Sequence, residues 1–287
     1  MTVTAMATEE SPRLVPREVG ERLSCVRATI EAPTCSFRYP HFLVGRQPTY
    51  DHPPPSTLRG LLAGALGEVQ APPGLQLGTW FQCQGRVDDL EHQHKLKVKW
   101  NKKGEVKGDL EVEPVLREAL VFPRLELYVA STHTAAWGEL RSALLQALRA
   151  PAFALSLGRS QDLASCLDVR EVELVAAASA YYESTLLPFA WRPVVPRGVT
   201  AFLTRSIGPA PARETSFARY VLITDRVYAG LPEDAPAAPG RRIGSSDQVP
   251  QLHWVDPQPA KDDRAASPPP GRGVVFHDVD APPQGPA

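Results

Sequence analysis

The chain has 287 residues, 43% of them hydrophobic, and its 31 Lys and Arg against 32 Asp and Glu leave a formal charge of −1. That apolar content is ample for the core of one large or two small domains. Near-neutrality excludes a global basic field drawing the molecule onto nucleic acid, so any such site must be a local patch. Four cysteines, Cys25, Cys35, Cys83 and Cys166, lack C-x-x-C spacing, which fits reduced thiols better than a disulfide frame or a zinc site. The opening MTVTAMATEESPR has no basic-then-apolar leader pattern and no apolar run approaches a membrane span, so the expectation is a cytoplasmic protein with no membrane partner.

In chain order, residues 1–22 read as a flexible polar tail, and Leu23 to Ile30 as a first strand. An arm over 33–54 carries arginines and aromatics: Phe37, Arg38, Tyr39, Arg46 and Tyr50. Pro55 and Ser56 mark a helix start, with the serine placed to accept an orphan backbone N–H. Leu58, Leu61, Leu62, Ala65 and Leu66 then recur at helical spacing, Gly67 is the stop, and Arg59 points away from the apolar stripe. Thr79 to Val87 reads as a strand and about 90–113 as a hairpin, followed by strand-like runs over 116–130 that Pro123 confines to an edge or bulge. A second helix spans Thr134 to Ala150, with Leu140, Ala143, Leu144, Ala147 and Leu148 on one side. A loop at 156–163 leads to a strand near 166–176, and runs at 198–206 and 216–229 complete a body over 23–230. The order strand–helix–strands–helix–strand suits an antiparallel α+β sandwich. Beyond Gly230 prolines cluster and apolar periodicity vanishes, so 231–287 reads as a mostly disordered tail, interrupted by the islands Leu252–Val255 and Val274–His277.

The hairpin HQHKLKVKWNKKGEVKGDLEVE (92–113) folds about Gly104 in a register that sets Lys99 against Asp109, Lys97 against Glu111 and Lys95 against Glu113. The other face then pairs Val98 with Leu110 and Leu96 with Val112. Lys102, Lys103 and Lys107 at the tip have no acidic neighbour in that register and are the candidates for phosphate contacts. Leu96, Val98 and Trp100 are left to pack on the body or on another subunit. Asp88, Asp89 and Glu91 form an acidic cluster read as solvated. Gly158, Arg159 and Ser160 combine close backbone approach with two donors to phosphate oxygens. Arg38, Arg46 and Arg59 flank Tyr50, and unstacked RNA bases are typically held between aromatic faces and arginine planes.

Four segments, VRATIEAPTCSFRYP (26–40), TYDHPPPSTLRGLLAGALG (49–67), REALVFPRLELYVA (117–130) and LSLGRSQDLA (155–164), lie in an order that resembles the Cas-five group of CRISPR-associated proteins, in the RAMP superfamily. The resemblance implies a ferredoxin-like, RNA-recognition-type sheet with two helices and a protruding hairpin thumb. It also implies a non-catalytic subunit of a type I Cascade-like surveillance complex, gripping the 5′ handle of the crRNA. Its partners would be the backbone (filament) subunit, the large subunit and target DNA near the complex, in antiviral defence. On this reading the RNA-binding residues are Arg38, Arg46, Tyr50, Arg59, Lys102, Lys103, Lys107, Gly158, Arg159 and Ser160, with no catalytic residue, no metal and no cofactor.

Two alternatives stand beside it. Some members of that group cleave precursor RNA without metal, using a tyrosine at the place of Tyr50, and His92, His94 and Lys95 could supply the proton transfers. A protein–protein adaptor without RNA binding is the other. His92 and His94 with Cys83 are not read as a metal site, since two histidines on alternate strand residues share one solvated face. Neither G-x-S-x-G nor G-x-x-x-x-G-K occurs.

Overall fold

The computed structural model describes residues 14–42, 45–100, 106–211, 213–232, 241–258 and 271–279, with only the backbone described for Lys99, Val106, Lys107 and Thr134. The elements run β1 (Arg22–Glu31), β2 (Thr34–Cys35), β3 (Arg46–Gln47), α1 (Pro55–Leu66), β4 (Leu75–Gln82), β5 (Gly85–Trp100), β6 (Val106–Val121), β7 (Arg124–Ser131), α2 (Thr134–Arg149) and β8 (Ser165–Ala177). Then follow β9 (Ala180–Tyr182), β10 (Thr185–Pro188), a 3₁₀ turn Phe189–Trp191, β11 (Val199–Ile207), β12 (Thr215–Ile223), β13 (Val227–Ala229), β14 (His253–Asp256), β15 (Arg272–Val274) and β16 (His277–Asp278). No helix among the described residues is long and apolar enough to cross a membrane.

A nine-stranded sheet has the order β13-β9-β15-β14-β8-β1-β7-β4-β16, and its centre β8-β1-β7-β4 is antiparallel throughout. The fold is therefore mixed α+β with two helices, as expected from the element order. Along β1 the pleat sorts residues by face. Val26, Ala28 and Ile30 enter the main core with Leu58, Leu61 and Leu62 of α1 and Leu144 and Leu148 of α2. Each fully buried leucine there contributes about 1.5–3 kcal/mol. Ala143 lies outside that core and is exposed.

Helix α1 starts at Pro55, but Ser56 makes no cap bond; instead the Pro54 carbonyl accepts the Thr57 N–H at 2.9 Å. Gly67 ends the helix at φ +77°, which lets the Glu68 N–H reach the Ala63 carbonyl at 2.9 Å. The expected strand 79–87 is two strands, because the chain breaks pairing at Cys83 and Gln84 before β5. Pro123 sits in the turn between β6 and β7, where its missing N–H costs the ladder nothing.

The described residues after Gly230 correct the expectation of a loose tail. Strand β14 pairs with β8, β15 pairs with β14, and β16 pairs with β4 at the opposite side of the sheet. Between β15 and β16 the chain passes directly over Gly78, where an added Cβ would lie 2.6 Å from the Val274 Cγ1. Trp254, Val274 and Phe276 pack on Cys25, Tyr128 and Leu174, the second face of β1, β7 and β8. Proline content alone would keep this segment out of a core, but the two apolar islands find a sheet face that is otherwise bare.

Two buried ion pairs fix the segment. Arg27 donates to Asp256 at 2.6 Å and Arg272 to Glu126 at 2.6 Å, all four side chains at most 5% exposed. Tyr128 OH adds a bond to Asp256 at 2.8 Å, and the Arg272 guanidinium lies 4.8 Å from the Trp80 ring. Such pairs add little net stability over apolar substitutes, yet removing one partner strands a charge and costs about 3–5 kcal/mol.

Burial also holds three histidines neutral. His277 donates from Nε2 to the Leu186 carbonyl (3.0 Å), and burial pushes its pKa down to about 4. His253 shares a 2.8 Å hydrogen bond with Tyr182 and is pushed down to about 4, and His52 to about 3, again by burial first. Because the unfolded chain titrates near 6.5, it binds more protons than the fold between that value and about 4. Stability is therefore complete above about pH 6.5 and declines as pH falls towards 4. Urea denaturation at pH 7.5, 6.0 and 5.0 should show a falling midpoint, and His277→Gln should flatten the decline. A midpoint independent of pH would refute the neutral-histidine account.

Candidate RNA-binding interface at the hairpin base

Strands β5 and β6 pair over their whole length, from Gly85 opposite Val121 to Trp100 opposite Val106. The register differs from the expected one by two residues: Lys97 faces Asp109, Lys95 faces Glu111, and Lys99 faces Lys107. An even slip leaves every side chain on its face. The anticipated ion pairs survive as diagonals, Lys97 to Glu111 at 2.5 Å and Lys95 to Glu113, because a lysine stem spans the offset. On the other face Leu90 opposes Leu116 and Leu96 opposes Leu110, with Leu96 68% and Trp100 72% exposed. Among the described residues nothing of the body covers this ladder. Lys102 and Lys103 lie outside the described residues, as does the side chain of Lys107.

The acidic cluster entering the hairpin is not simply solvated; it is the hairpin's anchor. Arg159 reaches Asp89 (3.1 Å) and Glu91 (2.5 Å) on β5 while two of its nitrogens clasp Asp162 at 2.8 and 2.7 Å. Arg117 on β6 donates to Glu91 at 2.7 Å, and Thr34 of the arm donates to Asp162 at 2.9 Å. Hydrogen bonds to Asp162 first, then to Asp89 and Glu91, raise the Arg159 pKa despite burial. Burial alone would raise the Asp162 carboxyl, but the bonds from Arg159 and Thr34 hold it below its ordinary value. Gly158 serves the same junction: at φ +107° its missing Cβ would lie 2.4 Å from the Ser36 carbonyl oxygen. Glycine is needed here for the arm's backbone to approach, whatever else the loop does.

Arg46 pairs with Asp88 (3.1 Å) and Glu118 (3.3 Å), and Arg86 pairs with Glu118 (3.2 Å) and with Asp51. Six carboxylates (Asp51, Asp88, Asp89, Glu91, Glu118, Asp162) thus face four guanidiniums (Arg46, Arg86, Arg117, Arg159). The four guanidiniums are fully paired within a network that carries two more carboxylates than cations, and a phosphate there would have to compete with carboxylates already in place.

The other expected residues scatter. Arg38 is exposed and makes no side-chain bond to the described residues, and Ser160 is exposed in the loop. Arg59, on α1, donates to the Val279 carbonyl (3.1 Å) and the Ala71 carbonyl (3.3 Å), so it ties the closing segment to the helix. Tyr50 is buried, its ring 3.7 Å from that of Tyr39, and its hydroxyl donates to the Phe202 carbonyl at 2.8 Å. Burial pushes the Tyr50 phenol up to about 12. Sequence reasoning missed Phe202 because 152 residues separate it from Tyr50 and no local spacing links the two.

Removing Arg159 strands Asp162, so Arg159→Met should cost about 3 kcal/mol in urea denaturation. Gly158→Ala, strained at positive φ, should cost about 2 kcal/mol. Both should speed amide exchange in 85–91, and unchanged exchange there would show that the hairpin is held by other contacts.

No curated protein matches the chain. Among solved structures the chain is similar to a chain titled "CRISPR RNA-guided surveillance complex", at 18% identity and TM-score 0.45, covering 76% of this chain and 95% of that one. It is also similar to a CRISPR protein from Archaeoglobus fulgidus, at 11% identity and TM-score 0.37, covering 71% and 87%. A third is a chain of a type III-B Cmr-beta complex bound to cognate target RNA, at 12% identity and TM-score 0.40, covering 70% and 85%. Residues 25–200, from β1 through the arm, the hairpin and the glycine–arginine loop, match the family described as "CRISPR-associated protein (Cas_Cas5)", and the chain belongs to that family.

Proposed function

We propose that this protein is a non-catalytic subunit of a type I, Cascade-like RNA-guided surveillance complex. It binds and caps the 5′ handle of the crRNA and contacts the backbone and large subunits, close to target DNA. The observation that carries this reading is the hairpin. A two-stranded ribbon that leaves Leu90, Leu96, Val98, Trp100, Leu110 and Val112 exposed along one face is marginal alone and is built to be covered by another molecule. The order β8-β1-β7-β4, with α1 and α2 in the crossovers, supports a ferredoxin-like core from which that ribbon projects as a thumb.

Within the interface, Arg38 and the tip lysines Lys102, Lys103 and Lys107 are the phosphate contacts. Gly158, Ser160 and the paired Arg46 and Arg159 shape the junction they project from, and Arg59 holds the helix behind it. A local cationic edge on a molecule of net charge −1 favours one strand end over indiscriminate binding.

The precursor-RNA endonuclease is the weaker reading. Tyr50 donates its proton to a backbone carbonyl and its pKa lies well above neutrality, which suits a structural phenol better than a general acid or base.

Co-purification with neighbouring gene products, followed by sequencing of bound RNA, should recover short transcripts sharing a repeat-derived 5′ end. Lys102→Glu with Lys103→Glu, and separately Arg38→Glu, should weaken handle binding and flatten its dependence on log salt by roughly 0.7 per lost contact. Unaltered binding at low and high salt would remove these residues from the interface. Incubating the pure protein with repeat RNA in chelator should leave the RNA intact; site-specific cuts abolished by Tyr50→Phe would establish the nuclease instead.

A further inference from the structure

A cavity of about 260 Å³ opens between the arm and β11, walled by Tyr39, Tyr50 and Phe202 with His41, Thr200 and Leu203 around it. Its lining includes no arginine or lysine, and its one carboxylate, Asp51, is paired with Arg86. Electrostatically it suits a neutral group better than a phosphate. The aromatic walls are held in advance: Tyr39 lies against Tyr50, Tyr50 is bonded to Phe202, and the Phe202 ring stacks on Phe217 at 5.1 Å and 14°.

The cavity also borders an open strand edge. In the three-stranded sheet β10-β12-β11, no strand among the described residues pairs with the outer side of β11. The Phe202 carbonyl receives the Tyr50 hydroxyl and therefore points outward from the ladder. Backbone polar groups alternate along a strand, so those of Thr200 point outward too, beside the cavity. A flat apolar slot with aromatic walls and a backbone donor and acceptor at its rim is the equipment that holds an unstacked base by its face and its edge. An apolar protein side chain would fill the slot but leave that rim unpaired.

We infer that this cavity is a nucleobase pocket, taking one splayed base of a single-stranded RNA against Tyr39 and Phe202, with the edge of β11 reading the base. The inference rests on the RNA-binding reading above and adds a site to it that uses stacking, not charge. Arg38 precedes Tyr39 in the arm and is placed to meet a phosphate of the same strand.

The test uses the full-length protein with two probes: a random ten-nucleotide single-stranded RNA pool, and a ten-residue abasic ribose-phosphate strand of equal charge. The wild type should prefer the pool. Tyr39→Leu and Phe202→Leu should each lower affinity for the pool roughly tenfold, towards that for the abasic strand, without changing the salt slope. Arg38→Ala should lower the slope on both probes. Photocrosslinking a 4-thiouridine-containing pool should place adducts on the peptides carrying Tyr39 or Phe202. Equal binding of pool and abasic strand, or unaltered binding by both leucine variants when thermal denaturation shows them folded, overturns the pocket and leaves the RNA-binding reading standing. Adducts confined to the hairpin do the same. Binding of neither probe removes the RNA-binding reading and the pocket with it. Unaltered RNA binding with weakened capture of the co-purifying complex subunits assigns the slot to a protein side chain.

Discussion

The root of the hairpin is centred on one partly desolvated guanidinium. Arg159 is 12% exposed and is shared between the glycine loop's own Asp162 and two carboxylates on β5. The cost of desolvating such a group is offset only when all its neighbours stay in register. That makes it a positional device more than a source of net stability. Gly158 against Ser36, Arg117 against Glu91 and Arg46 against Asp88 all depend on the same placement. Among the described residues the ribbon beyond has no comparable support, so its direction is set at its root.

The opposite end of the molecule uses the same chemistry for a different purpose. Arg27 with Asp256 and Arg272 with Glu126 seat the residues of β14 and β15 on the sheet face that α1 and α2 leave bare. Trp254, Val274 and Phe276 fill that face. In the reading proposed above, the ligand surface then lies on the hairpin, the arm and the edge of β11.

On the proposed function, the hairpin and the slot would divide recognition by physical type. Exposed Arg38 and the hairpin's apolar ladder would suit capture and assembly, whereas the slot between Tyr39 and Phe202 suits a single flat neutral group. At net charge −1, charge alone would not retain an arbitrary strand, so such an arrangement would confer selectivity.

Local patterns made much of the core legible: the leucine spacing of α1, the stop at Gly67, the alternation in β1 and the two-faced hairpin each follow from period and sterics. The family match over 25–200 agrees with the four segments seen to run in order. Register was less legible, because a slip of two keeps both faces satisfied and only the turn decides between them. The roles of single arginines were hidden altogether. Arg38, Arg46, Arg59 and Arg159 look alike along the chain, yet one is exposed with no side-chain partner among the described residues, two are clasped by carboxylates and one holds backbone carbonyls. What a short window of residues determines is periodicity, and therefore element type and buried face. Which charges are spent internally, where β14 to β16 close the sheet, and that Tyr50 meets Phe202 are contacts between residues far apart in the chain, and only the folded structure decides them.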